Sequence, residues 1–158
     1  MLAVLDASSK ESEDADEPSK GFCYHLSKDI VKTRVCRVNY PGLESHPQND
    51  VARRQMRDFK DAFAPGSMVY FELDTNDDSV IEKFTGTIAD NSYCISLAVS
   101  LGHTSTLLEN PYNCTQFLMS EEEKDMIGIK RSGMRLSVGL EDTSDIIRDL
   151  KLALDSAW

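Results

Sequence analysis

No stretch of the sequence is apolar for long enough to cross a bilayer, which takes about 20 consecutive apolar residues, so no membrane partner is expected. No two of the four cysteines (Cys23, Cys36, Cys94 and Cys114) stand as a C-x-x-C pair. The opening MLAVLDASS is too short and too acid-flanked for a secretory signal. Reduced thiols in a cytoplasmic compartment are the expectation. Without secretion, the glycosylation triplet Asn113-Cys114-Thr115 reads as a chance match. Basic residues are also short: 17 Lys and Arg face 27 Asp and Glu, for a formal net charge of −10. Such a chain repels phosphates, which argues against a nucleic-acid partner. There is no internal repeat and no glycine-rich phosphate loop.

What is there suffices for one domain: 158 residues, 41% of them apolar. Residues 6–20 (DASSKESEDADEPSK) offer almost nothing to bury and read as disordered. A short helix is expected over residues 25–32. Order is expected from Arg34 onward. Val35 and Val38 lead as a strand into the turn Asn39-Tyr40-Pro41-Gly42. His46-Pro47 starts a helix with Val51, Ala52, Met56 and Phe59 on one side. MVYFEL, residues 68–73, alternates as a strand, and residues 74–78 form a polar turn. Val80, Ile81, Phe84 and Ile88 share one helical face. ISLAV, residues 95–99, reads as a strand buried on both faces, and Thr106 to Glu109 as another. Ser120 followed by three glutamates has the form of a helix N-cap. MRLSVG, residues 134–139, is a further strand. Thr143 or Ser144 caps a last helix with Ile146, Ile147, Leu150 and Leu154 inward. The pattern is a small sheet with helices between the strands, an α/β or α+β domain.

Three small constellations compete for a function. Cys23, His25 and Cys36 are too few and too oddly spaced for a common zinc module, so no metal is expected. His25, His46 and His103 have no nucleophile paired with them in sequence. Met56, Met68, Met119, Met126 and Met134 read as core fillers.

Three stretches, in this order, carry more: Tyr40-Pro41-Gly42-Leu43-Glu44-Ser45-His46-Pro47-Gln48, then Ala98-Val99-Ser100-Leu101-Gly102, then Arg135-Leu136-Ser137-Val138-Gly139-Leu140-Glu141-Asp142. Together they resemble the C-terminal part of the Cys/Met metabolism enzymes that depend on pyridoxal 5'-phosphate (PLP). Cystathionine gamma-synthase, cystathionine gamma-lyase, methionine gamma-lyase and the O-acetylhomoserine sulfhydrylases belong to this family. The resemblance runs from about Val35 to Leu154. It implies a small, mostly antiparallel sheet with helices packed on it, as in the C-terminal domain of fold-type I PLP enzymes. It also implies that Ser100 and Arg135 hold the substrate α-carboxylate. A guanidinium fork suits a planar carboxylate in a way lysine does not. Without the motif, Arg135 reads sooner as an ordinary strand arginine with a surface partner, and the family stretch reverses that preference. In the substrate-binding role it should face a cleft, lie near Ser100 and have no tight internal ion pair.

Two departures from the family pattern blur the substrate. The family usually continues with a segment like ESLIEHPASMTH. Here Ser105 stands where several transsulfuration enzymes carry an acid that helps select the substrate's distal end, and Asn110 and Gln116 replace the usual histidines. The cofactor lysine of the family lies in a large N-terminal domain. Lys10, Lys20 and Lys28 each follow a serine, but none has that context. Residues 1–33 read as an unrelated leader, as from a truncated or mis-predicted gene, and residues 34–158 as the substrate-side domain. The expectation is therefore a fragment that binds no PLP by itself. Its partners would be the missing PLP domain, a sulfur amino acid or activated homoserine in a complete enzyme, and further copies of itself as a homo-oligomer. The rival reading is a non-catalytic stand-alone domain or gene remnant.

Overall fold

Alternating residues give Met68–Leu73 two unlike faces, with Val69, Phe71 and Leu73 on the buried one. The computed structural model describes residues 34–158. In chain order the elements are β1 (Val35–Asn39), α1 (Asn49–Gln55), β2 (Met68–Leu73), α2 (Asp78–Asn91), β3 (Ser96–Leu97), β4 (Leu107–Glu109), α3 (Glu121–Met126), β5 (Gly133–Ser137) and α4 (Thr143–Ala157). The expectations for residues 6–20 and 25–32 fall outside the described residues.

The strands form one sheet of order β1-β2-β5-β4-β3. Three of its four pairings are antiparallel and only β3–β4 is parallel. On one face Val69, Phe71 and Leu73 of β2 join Met134 and Leu136 of β5 and Leu108 of β4 in the core. Helix α2 lays Ile81, Phe84 and Ile88 on that face, and α4 adds Ile146, Ile147, Leu150, Ala153, Leu154 and Ala157. The spacing of three and four residues puts each set on one side of its helix. Phe71 and Phe84 meet edge to face with ring centroids 6.3 Å apart. All helical cover from α2 and α4 is thus on one side of the sheet, and the other side carries the polar residues Arg37, Tyr70, Glu72, Glu109, Arg135 and Ser137.

Three expectations are corrected. The helix after His46-Pro47 begins only at Asn49, and it stops at Met56, whose backbone turns extended (φ −93, ψ 90). The helical period therefore breaks before Phe59, which is left 92% exposed. The apolar run ISLAV pairs only through Ser96 and Leu97, and Leu97 and Val99 are exposed. An edge strand has a neighbour on one side alone, so apolar composition does not guarantee burial there. The last helix is capped by Asp142, whose carboxylate accepts the Ser144 N–H at 2.8 Å. Ser120 does cap α3, in a reciprocal capping box with Glu123.

Candidate functional site

Arg135 lies mid-strand in β5, opposite Tyr70 of β2 and Glu109 of β4. Residues directly opposite across antiparallel strands share a face. All three therefore leave the sheet on the side away from α2 and α4. The Arg135 side chain is 21% exposed and that of Glu109 is 1% exposed.

The guanidinium is held from two directions. Its Nη2 donates to the carbonyl oxygen of Val99 at 2.7 Å and to that of Ser100 at 3.3 Å. The same nitrogen lies 3.1 Å from Glu109 Oε2. That oxygen accepts no hydrogen bond, so the contact is one of charge rather than of an aligned N–H. The other oxygen, Oε1, accepts the Thr115 hydroxyl at 2.9 Å. Among the described residues, Arg135 Nε and Nη1 find no acceptor. Nη2, which both two-nitrogen edges of the guanidinium share, is thus anchored, and the N–H groups of Nε and Nη1 are left over on either side of it.

Ser100 and Arg135 are brought together, through the Ser100 carbonyl, and Ser100 itself is exposed. The expectation that Arg135 would have no internal ion partner does not hold. The register places Glu109 beside it, and a buried carboxylate needs a counter-charge.

The second and third family stretches are stitched together by further contacts. Ser137 Oγ accepts the N–H of Gly102, which sits at φ +68 where glycine is favoured. The Gly139 N–H donates to Thr106 Oγ1 at 2.9 Å and the Leu140 N–H to Thr104 O at 2.8 Å. A Cβ at Gly139 would run into Thr104 O, Ser105 C and the Glu141 carboxylate. Thr106 gives its N–H and its hydroxyl to the two oxygens of Glu141, at 2.8 and 2.7 Å. Burial pushes the Glu141 carboxyl upward, but these bonds outweigh it and hold it below the usual range. The segment that carries Val99 and Ser100 is therefore fixed at Arg135 and to the residues that follow it, Ser137 to Glu141.

The first stretch serves the fold. Tyr40 and Leu43 are buried, and the Tyr40 hydroxyl donates to Gly66 O at 2.8 Å. Asn110, which replaces a family histidine, is also structural: its Nδ2 donates to Arg131 O and its Oδ1 accepts the Asn113 N–H. His46 Nδ1 and His103 Nδ1 each accept a backbone N–H two residues on, from Gln48 and Ser105. Cys23 and His25 lie outside the described residues. Among the described residues no group of three His, Cys, Asp or Glu could hold a metal, and no helix is long and apolar enough to cross a membrane. Sequence reasoning missed Glu109, Ser137 and Thr115. The one signal for Glu109 is an acid directly after the apolar pair Leu107-Leu108 of a strand.

The described lysines do not fit the aldimine role that PLP requires. Lys124 is packed 3.9 Å from the Tyr112 ring centroid and paired with Glu121, and Lys130 is paired with Asp125. Lys60 lies against Phe59. Lys83 and Lys151 belong to α2 and α4, across the sheet from Arg135.

This sheet and its helix layer have the fold of a part of known PLP-dependent sulfur amino acid enzymes. Cystathionine gamma-lyase from yeast superposes with a TM-score of 0.70 at 35% identity, over 82% of this chain and 30% of that one. Cystathionine gamma-synthase from Xanthomonas oryzae pv. oryzae gives 0.66 at 31% identity, over 78% and 29%. The chain belongs to the Cys/Met metabolism PLP-dependent enzyme family, whose model matches residues 20–155. The match begins well before Val35, where the motif resemblance starts. Among curated relatives, L-methionine gamma-lyase of Fusobacterium nucleatum subsp. polymorphum is 41% identical over 122 residues, which is 77% of this chain and 28% of the relative. Cystathionine gamma-lyase of Dictyostelium discoideum is 37% identical over 134 residues, 85% of this chain and 31% of the relative. The chain thus spans less than a third of the length of these relatives.

Proposed function

We propose that residues 34–158 are the substrate-side domain of a carbon–sulfur lyase or homoserine-ester sulfhydrylase or synthase of the transsulfuration type, and that Arg135 and the Ser100 loop receive the substrate's α-carboxylate. The observation that carries this reading is the half-anchored guanidinium. Nη2 of Arg135 is tied to Val99 and Ser100, while Nε and Nη1 on either side of it keep N–H groups that find no acceptor among the described residues, on the side of the sheet that α2 and α4 leave uncovered. A charged N–H donor held in place in this way suits a carboxylate oxygen. The PLP that the family uses supplies the electron sink for the reaction at the substrate's α-carbon. The described residues of this chain bind and orient, and the cofactor lysine belongs to sequence outside them. Alone, residues 34–158 are an inactive partner of a PLP-holding domain. The share of the relatives' length that this chain leaves uncovered favours that arrangement.

The test is a chimera in which residues 34–158 replace the matching segment of the Fusobacterium nucleatum methionine gamma-lyase. Arg135→Lys keeps the charge and loses the fork. KM for L-methionine should rise on the order of tenfold, or about 1.4 kcal/mol, with little change in kcat. An unchanged KM in a folded, PLP-loaded chimera refutes the carboxylate role.

A further inference from the structure

The reading of Arg135 as a carboxylate receptor leaves its buried neighbour unexplained. Glu109 is 1% exposed, it stands in register with Arg135, and its Oε2 accepts no hydrogen bond although Arg135 Nη2 is only 3.1 Å away. A carboxylate kept only for stability would have its oxygens satisfied, because an unsatisfied buried acceptor costs free energy. An apolar pair of similar size would stabilise such a site as well or better. A negative charge also weakens an arginine's pull on a second carboxylate. The arrangement is unfavourable both for folding and for raw anion affinity, which leaves orientation as the property it serves.

We propose that Glu109 is a positioning residue, resting on the carboxylate reading of Arg135: it holds the Nη2 corner and so fixes the guanidinium in one orientation toward the incoming carboxylate. The geometry is a chain of restraints. The Thr115 hydroxyl holds Glu109 Oε1 at 2.9 Å and thereby sets the plane of the carboxylate. Oε2 then attracts the Nη2 corner of Arg135 into the sheet. With that corner drawn inward, Nη2 donates to Val99 O and Ser100 O, and the same contacts brace the Ser100 loop. Removing the Glu109 charge frees the guanidinium to swing, and its donors spread over more than one orientation.

The experiment uses the full 158-residue chain and nitrogen-detected NMR of the Arg135 side chain, with acetate as the carboxylate probe. In the wild type, without acetate, the Nη protons should be resolved by slow rotation about the Cζ–N bonds. In Glu109→Gln, whose amide presents N–H groups to a guanidinium, they should average to one signal. Thr115→Val keeps both charges and frees only the Glu109 carboxylate, so it should give partial averaging. Acetate affinity, read from the Nε–H shift, should fall on the order of tenfold in Glu109→Gln, short of the hundredfold that an ångström of misplacement can cost. Two results overturn the proposal: unchanged Arg135 line shapes in both variants, or tighter acetate binding in Glu109→Gln, which makes Glu109 a mere competing charge. A drop in thermal midpoint with unchanged affinity and line shapes assigns it to stability and also overturns it. If the wild-type signal ignores acetate, the carboxylate reading fails, while the acetate-free line shapes still decide whether Glu109 positions Arg135. Should Glu109→Gln not fold, Thr115→Val alone decides.

Discussion

At the scale of single residues, the pairing of Arg135 with Glu109 changes what truncation means. Arg135→Ala does not simply delete a substrate contact. It strands a carboxylate that is 1% exposed beside an empty space. Breaking a buried pair by removing one partner typically costs about 3–5 kcal/mol, so this variant should be strongly destabilised. Only a guanidinium without an internal ion pair could be lost at no such cost. Replacing both partners, Glu109→Leu with Arg135→Met, should recover most of the loss and bring stability within about 1 kcal/mol of the wild type. Urea unfolding of the single and double variants measures the difference. A single variant as stable as the wild type would mean that the pair carries no structural weight. Arg135→Lys is accordingly the better probe of substrate binding, because it keeps the counter-charge.

At the scale of elements, helix starts show how local chemistry competes with itself. Asp142, Thr143 and Ser144 stand in a row, and each is a good cap by composition. The backbone turns extended at Asp142 (φ −61, ψ 134), and its carboxylate takes the N–H of Ser144 at 2.8 Å and the Ser144 hydroxyl at 2.5 Å. These bonds hold the Asp142 carboxyl below the usual aspartate range, the hydroxyl bond contributing most. Asp142→Ala should cost about 1 kcal/mol, in the ordinary range for a lost cap. Thr143→Ala should cost clearly less. Thermal or urea midpoints of the two variants decide it, and equal losses would return the cap to Thr143. The edge strand β3 is the opposite case. Its apolar run looks like a core strand, yet only two residues pair, and with β4 on one side alone Leu97 is left exposed.

At the scale of the whole molecule, one buried carboxylate ties the helix layer to the sheet edge. Asp149 of α4 is 2% exposed, and its Oδ2 accepts the N–H of Cys94 at 2.7 Å and of Ile95 at 3.2 Å, just before β3. Burial pushes its carboxyl upward, but the N–H bonds from Cys94, Tyr93 and Ile95 outweigh it and leave it below the ordinary value of 3.8. A depressed carboxyl contributes stability above its unfolded value, and that contribution is lost as pH falls through the folded one. Asp149→Asn should therefore be less stable than the wild type at neutral pH. The gap should close as pH drops below about 3.8. Urea midpoints across that range test the sign; a gap that widens on acidification contradicts it. The Cys94 thiol is pushed up to about 12, chiefly by burial and then by Asp149, so the same variant should also let it titrate at lower pH.

Much of this protein was decided along the chain. Period two in Met68–Leu73 and period 3.6 in α2 and α4 are local properties of the backbone, and they assign the buried face of each element without reference to any other. The three family stretches marked Ser100 and Arg135, because residue type and spacing are written in sequence. What only the tertiary structure decided is which of these residues meet. Glu109 reaches Arg135 across strands, Ser137 reaches Gly102, Asp149 reaches Cys94, and Leu97 is left exposed while Leu108 is buried. Each depends on strand order and on a register in which a shift of one residue sends every side chain to the other face. Register is set by the packing of the whole sheet against its helices, so it is a property of the assembled core and not of any one stretch.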